Sequence, residues 1–361
     1  MRILIITQKV DINDDLLGFM HGWISEFAKK CEQVVVICLQ KGEDELPGNV
    51  KVLSLGKEEY LGNSGVIRKF VSLFRFYKYI WQERRNYDAV FVHMNPEYIV
   101  LGGWLWKLWG KKIGLWYAHG YVPWSLKIAA KFVNVIFTST KSGCRIKSEK
   151  IQVVGQGIDA EKFKRQKSKV KSPSQNLKFR VTSVGRISPV KDYMTLINAI
   201  EVFKKEELVN LQVDIVGAPG LRSDVSYLKE LENIINSKGL KDIIKFTGSV
   251  PNKDIAQVLQ GRDAFVNMGL TGSLDKAILE AMACGLPILT CNEALAEVLG
   301  DYQERLMYPK GDFKKLAEKI KWLMGMSQEE RQKIGLDLRI IVEKNHSEEK
   351  LIDKILQLYY G

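Results

Sequence analysis

Short apolar runs rich in β-branched residues alternate along this chain with longer segments of helical period, and that alternation restricts the fold to βαβ units around parallel sheets. In the first half the runs are Ile3 to Thr7, Val34 to Leu39, Val50 to Leu55, Ala89 to His93, Ile113 to Tyr117, Val135 to Ser139 and Ile151 to Val154. A polar stretch from Glu161 to Lys178, with Pro173 and several Ser, lacks an apolar period and reads as a linker. The alternation then resumes with Phe179 to Val184, Gln212 to Val216, Ile244 to Thr247, Ala264 to Asn267 and Pro287 to Thr290. Helices such as Tyr193 to Phe203 and Ser226 to Lys238 separate these runs. At roughly 100–200 residues per domain, the 361 residues are expected to form two α/β domains in tandem, 1–165 and 176–345. The last segment, Ser347 to Tyr360, sets Leu351, Ile352, Ile355, Leu356 and Tyr359 on one helical face, with Glu348, Glu349, Lys350, Asp353 and Lys354 toward the other. It is expected to be an amphipathic closing helix.

Several classes drop out. The five Cys are sparse and odd in number, with no CxxC pair and no His at ligand spacing. A reduced compartment and no structural zinc are expected. The apolar start at Ile3 meets Asp11, Asp14 and Asp15 almost at once, which suits a buried strand better than a secretory signal. Lys107, Lys111 and Lys112 break the richest apolar stretch, Tyr98 to Trp116, so no membrane-spanning helix is expected. A cytoplasmic location follows as the expectation.

Two loops carry chemistry. Gly185-Arg186 and Lys191 follow the run Phe179 to Val184 and precede a helix. A Gly turn with two cations five residues apart can set charges and helix amides around a diphosphate, and ligands of doubly wound sheets gather at the carboxyl ends of strands. Thr271-Gly272-Ser273-Leu274-Asp275 likewise follows Ala264 to Asn267 and opens the helix Lys276 to Ala283. Glu280, one turn beyond Lys276, can accept two ribose hydroxyls. Gly285 and Pro287 then stop the helix.

These residues resemble the GT-B glycosyltransferases, in particular the large retaining family four. That family's sugar-nucleotide domain has a G-R-x4-K loop, here Gly185-Arg186 with Lys191, and an E-x7-E segment ending in a motif matched by Leu279-Glu280-Ala281-Met282-Ala283-Cys284-Gly285-Leu286-Pro287. Val154 to Phe163, Phe246 to Val250 and Val216-Gly217 are similar to further segments of the same family. The resemblance implies two Rossmann-like doubly wound domains with a cleft between them and a C-terminal helix, 346–361, crossing back to the first. It implies transfer of a sugar from a UDP- or GDP-linked donor with retention of configuration, and with neither metal nor cofactor. By position, Arg186 and Lys191 would bind the diphosphate and Glu280 the ribose. Gly185, Ser273, Leu274, Asp275 and Lys276 would complete the donor site. His119, in Trp116-Tyr117-Ala118-His119-Gly120, falls where the family has a His near the transferred sugar, and Gly18 where a glycine approaches the reaction centre. His21 and His93 are weaker candidates, expected to serve packing or the surface.

The sequence departs from the family at one telling place: the first Glu of E-x7-E is Gly272. Asp275, three residues on, is the nearest carboxylate that could stand in for it. A non-catalytic nucleotide-sugar-binding relative is the alternative, and a phosphorylase or epimerase on the same scaffold is a further one, since fold does not fix reaction.

Charge separates the halves. Residues 1–171 hold 28 Lys and Arg against 16 Asp and Glu, and the remainder hold 26 of each, so the whole net charge of +12 lies in the first half. Seven of the eight Trp lie there too. Val66 to Arg85 reads as a basic amphipathic helix with Phe70, Phe74, Tyr77 and Trp81 among Arg68, Lys69, Arg75, Lys78, Arg84 and Arg85. Trp104, Trp106 and Trp109 with Lys107, Lys111 and Lys112 form a second candidate. An anionic membrane surface presenting a lipid-linked acceptor, at the inner face of the plasma membrane, is the partner expected, against the plainer reading of a helix that buries its aromatics. No zinc-finger, KH or RRM signature accompanies the charge, so no nucleic-acid partner is expected.

Overall fold

The computed structural model describes residues 1–59, 65–164, 178–208, 210–269 and 272–360. The chain forms two compact units, Met1–Gly157 with Pro251–Lys253 and Glu348–Gly361, and Ile158–Val250 with Asp254–Ser347. Most of the linker expected between Glu161 and Lys178 lies outside the described residues.

The first unit runs β1 (Arg2–Val10), α1 (Phe19–Lys30), β2 (Gln33–Lys41), β3 (Val50–Ser54), α2 (Gly65–Gln82), β4 (Ala89–His93), α3 (Pro96–Leu108), β5 (Lys112–Trp116), α4 (Trp124–Phe132), β6 (Val135–Thr138) and β7 (Ile151–Val153). Among the described residues its strands form one parallel sheet in the order β3-β2-β1-β4-β5-β6-β7. Successive strand side chains point to opposite faces, and β1 shows the consequence. Ile3 and Ile5 enter the core that holds Trp23, Ile24 and Phe27 of α1, whereas Leu4 and Ile6 enter the opposite core, with Phe76, Ile80, Ile99 and Trp106.

The second unit runs β8 (Phe179–Val184), α5 (Tyr193–Lys205), β9 (Leu211–Val216), α6 (Arg222–Ser237), β10 (Ile244–Gly248), α7 (Ile255–Gln260), β11 (Ala264–Asn267), α8 (Lys276–Ala283), β12 (Ile288–Thr290), α9 (Ala296–Leu299), α10 (Gln303–Leu306), α11 (Phe313–Gly325) and α12 (Gln328–Asn345). Its described strands pair in parallel in the order β10-β9-β8-β11-β12. The closing helix α13 (Glu348–Tyr360) belongs to the first unit. Its Leu351, Ile352, Ile355, Leu356 and Tyr359 join the core around α1. The architecture is the GT-B one that the sequence implied, two Rossmann-like units with a terminal helix returned to the first.

Every apolar run named above is a strand, displaced by at most a few residues. The longest extension is β1, which carries Gln8 and Lys9 onward because Lys9 still pairs with Gln40 of β2. The five Cys are buried free thiols. Among the described residues, no helix is long and apolar enough to cross a membrane.

The basic helix divides its aromatics. α2 buries Phe76 and Ile80, while Phe70 and Phe74 stand 68% and 70% exposed. Lys69 and Lys78 are exposed and Arg68 is half-buried, and Arg75 makes a two-point bond to Glu59 at 2.8 and 2.7 Å. On α3, Trp104 is 52% and Leu108 74% exposed. Trp106 corrects the expectation that grouped it with Trp104. It is wholly buried and its Nε1 donates to the Tyr87 hydroxyl at 3.1 Å, because residues two apart on a helix face different sides.

Candidate functional site

In the second unit the strand order turns outward from β8 on one side and β11 on the other, and such a switch point is where open α/β sheets leave a crevice for ligands. The loop after β8 and the loop after β11 meet there. From the first, Lys191 Nζ donates to Asp275 Oδ2 of the second at 2.5 Å. Gly185, directly after β8, makes room for this reach: a Cβ on it would lie 3.0 Å from Lys191 Cε. Tyr193 pins the same glycine by donating its hydroxyl to the Gly185 carbonyl at 3.0 Å. Burial, followed by the charge of Asp275, pushes the Tyr193 phenol up, so it remains a donor. Arg186 is exposed and lies along Gly220 after β9, where a Cβ would come within 2.8 Å of Arg186 Cδ. From one loop, Lys191 thus reaches toward the loop after β11 and Arg186 toward the loop after β9.

Asp275 is the N-cap of α8. Its Oδ1 accepts from the Ala277 amide at 3.2 Å, while Oδ2 accepts from Asn267 Nδ2 at 3.1 Å as well as from Lys191. A shell behind it comes from the end of β11, the residues after β12 and the segment after α10. Asn267 Oδ1 accepts from the Gly269 amide at 3.1 Å, the Tyr308 hydroxyl donates to the Asn267 carbonyl at 2.9 Å, and Asn292 Nδ2 donates to the Ser273 carbonyl at 2.8 Å. Asn267, Asn292, Tyr193 and Tyr308 were missed by sequence reasoning. The signal available for the first two was an amide side chain ending or following an apolar strand.

Leu274 is buried, Ser273 and Lys276 are half-buried, and Thr271 lies outside the described residues. Glu280 sits with the rest of α8 from Ala277 to Ala283 in a fully buried run, so it is an interior carboxylate rather than a solvent-facing one. Gly272, in place of the family's first Glu, has φ +66°, a left-handed conformation that glycine takes without strain.

The first unit holds the remaining candidates. His119, three residues beyond β5, is exposed, and its Nδ1 accepts from the Tyr121 amide at 3.0 Å. That bond leaves the proton of the neutral ring on Nε2, free to donate. Gly18 closes the loop after β1 and is needed by that loop itself, because a Cβ there would lie 2.5 Å from the Asp14 carbonyl oxygen. Lys9 Nζ joins Asp11 at 3.0 Å and Asp14 at 2.7 Å beside it. His93 is buried against Phe19 and Trp23, and His21 Nε2 accepts from the Glu45 amide at 2.9 Å. Among the described residues no three His, Cys, Asp or Glu side chains gather at metal-binding spacing.

Comparison with known proteins bears on the second unit most directly. Residues 164–336 match the family described as glycosyl transferases group 1, a span that contains both loops. The chain is 27% identical over 256 residues to UDP-Gal:alpha-D-GlcNAc-diphosphoundecaprenol alpha-1,3-galactosyltransferase of Escherichia coli, covering 64% of each. It is 26% identical over 226 residues to the capsular polysaccharide biosynthesis glycosyltransferase CapM of Staphylococcus aureus, covering 59% of this chain and 56% of CapM. The chain spans from 24% to 64% of the length of curated relatives it matches. Among solved structures, Anabaena HepE in complex with UDP and glucose superposes with a TM-score of 0.77 over 100% of both chains at 18% identity, a likeness of fold.

Proposed function

We propose that this chain, whose residues 164–336 belong to the glycosyl transferases group 1 family, moves a sugar from a nucleotide-diphosphate donor on its second unit to an acceptor on its first. The observation that supports this reading is the placement of Arg186 and Lys191 in the one loop after β8, with Lys191 bonded across to Asp275 of the loop after β11. Departure of a nucleoside diphosphate develops charge on its oxygens, and preorganised cations stabilise that charge without reorganising. Arg186 and Lys191 supply it, and Glu280 accepts from the ribose. His119, with Nε2–H free to donate, hydrogen-bonds the transferred sugar. Asp275 is a positioning residue in this account, because its two oxygens already hold Lys191, Asn267 and the first turn of α8. Transfer proceeds with retention and with no metal. HepE has been crystallised with UDP and with UDP-glucose, which favours UDP over GDP as the nucleotide. The acceptor is a lipid-linked or cell-surface glycan precursor, in keeping with the names of the E. coli and S. aureus relatives, met at an anionic membrane surface by the exposed face of α2 and α3.

The test is a panel of UDP-, GDP- and ADP-sugars, read by thermal stabilisation and slow donor hydrolysis. A ligand at one hundred times its dissociation constant adds about 2.7 kcal/mol of stability, well within the resolution of a melt. One nucleotide sugar is expected to stabilise the wild type and neither Arg186→Ala nor Glu280→Ala. A second reading, a binding protein without transferase activity, is favoured by Gly272, where the family's sugar-contacting carboxylate is absent. Stabilisation by a nucleotide sugar without hydrolysis or transfer would select it.

A further inference from the structure

The first unit carries an open surface groove of about 610 Å³ between α4 and the loop after β6. Lys127, Lys131, Arg145 and Lys147 line it, together with Ser148 and an apolar floor that includes Ile146. No carboxylate is among its described lining residues. Lys127 and Lys131 are four apart on α4 and so stand on one face, where like charges repel. Two more lysines raise the local field without joining the lining. Lys150 Nζ bonds the Ala130 and Val133 carbonyls at 2.8 Å each, and Lys107 Nζ bonds the Lys131 carbonyl at 3.0 Å. Burial, and after it the charge of Lys107, holds the Lys150 ammonium below its ordinary range. A set of cations on a concave surface with no acid among them is an anion site in the making.

Its place in the unit says which anion. His119 bridges to Cys144 across the loop, which sets the next residue, Arg145, over Gly120. A Cβ on Gly120 would lie 3.3 Å from Arg145 Cζ, so the guanidinium rests on the backbone beside the candidate catalytic His. We propose that this groove binds the phosphate or diphosphate group of the acceptor and so brings the acceptor's anionic end beside His119. A phosphomonoester carries about −1.5 to −2 charges at pH 7, and Arg145 offers the planar fork that phosphate oxygens accept in pairs. The Ser148 hydroxyl accepts from the Lys150 amide at 3.2 Å and has its own proton to donate. The identity of the ligand as acceptor rests on the transferase reading above, whereas occupancy of the groove by a phosphate does not.

Calorimetric titration with inorganic pyrophosphate of the full chain carrying Arg186→Ala, which removes a cation from the proposed donor site, tests this second site. Binding that survives Arg186→Ala but weakens at least tenfold in Arg145→Gln/Lys147→Gln is the expected result. The same titration of Lys127→Gln/Lys131→Gln, exposed positions on α4, should show a similar loss and guards against a misfolded loop variant. Pyrophosphate binding indifferent to both pairs overturns the proposal. Vesicles then separate the sources: those carrying a polyprenyl diphosphate should hold the Arg145→Gln/Lys147→Gln protein at least tenfold more weakly than wild type, while phosphatidylglycerol vesicles of equal charge should hold the two alike. Equal weakening on both makes the groove a general basic surface and overturns the acceptor assignment. If the wild type binds pyrophosphate here yet no nucleotide sugar stabilises it, the transferase reading fails and the phosphate site stands.

Discussion

Gly272 stands where the resembling family has its first Glu, and Asp275, the nearest carboxylate, is engaged with Lys191 and Asn267. The loop at Gly272 takes φ +66°, and a Cβ in the left-handed region costs roughly 1–2 kcal/mol. Gly272→Glu, which restores the family pattern on paper, is therefore expected to lower stability by about that amount without raising donor hydrolysis. A melt and a hydrolysis assay of the same preparation check it, and a gain in hydrolysis would return the missing Glu to the centre of the mechanism. Asp14 gives a second expectation at this scale. Burial acts to raise its pKa, but the bonds from Lys9 and from the Leu17 and Leu16 amides outweigh it and hold the carboxyl below its usual range. A depressed carboxylate adds stability that is present above its unfolded pKa, about 3.9, and is lost as pH falls through the folded value. Urea melts of wild type and Asp14→Asn should thus differ at pH 6 and converge in strong acid. A gap that persists undiminished there would mean that the hydrogen-bonded geometry, rather than the charge, holds the loop.

Among elements, α13 is the one whose partner lies farthest away in sequence. Tyr359 donates its hydroxyl to the Val90 carbonyl of β4 at 2.8 Å, through a gap left by Gly114, where a Cβ would stand 2.3 Å from that oxygen. Ile355 is wholly buried against the α1 side of the sheet. Ile355→Ala should cost about 2–5 kcal/mol, as large-to-small core changes do; a denaturant midpoint unchanged from wild type would mean that α13 does not dock. α2 shows the opposite case. Its outward Phe70 and Phe74 contribute little to the fold, so Phe70→Ser/Phe74→Ser should leave stability within about 0.5 kcal/mol of wild type. Burying a Phe side chain is worth about 1.5–3 kcal/mol, so the same variant should bind anionic vesicles at least tenfold more weakly. The binding that remains should fall with added salt, as charge attraction does. Vesicle affinity untouched by the double substitution would remove this face from the proposed membrane contact.

At the scale of the molecule, burial sets the chemistry of the thiols. Burial pushes Cys31 up to about 11 and Cys38 up to about 12, and only thiolates react quickly. The native protein should therefore show no fast thiol labelling at pH 8, and all five Cys should become reactive together with unfolding of their units. Rapid modification of a native thiol would mean local opening of the sheet that holds it. How much of this was readable beforehand differs by kind of information. Strands, helix stops and the loops after β8 and β11 were present in the sequence, because they depend on local period and on Gly and Pro at fixed places. Ile3 to Thr7 or Ala264 to Asn267 can hardly be anything but buried strand, and Asp275 before Lys276 to Ala283 is a helix start wherever the helix lies. Direction was not readable. Trp104 and Trp106 looked alike, yet one is exposed and the other buried, because the side on which the sheet lies is fixed by other segments. Asn267, Asn292 and Tyr308 come together only when β11, β12 and the segment after α10 are in place. Nothing local in the sequence groups the cations of 127–147, which come together only when α4 and the loop after β6 are set side by side. Sequence alone determined the elements and the chemistry of their ends, since those follow from contacts within a few residues. The tertiary structure decided which faces look outward and which distant groups share a groove, since those follow from packing between segments far apart in the chain.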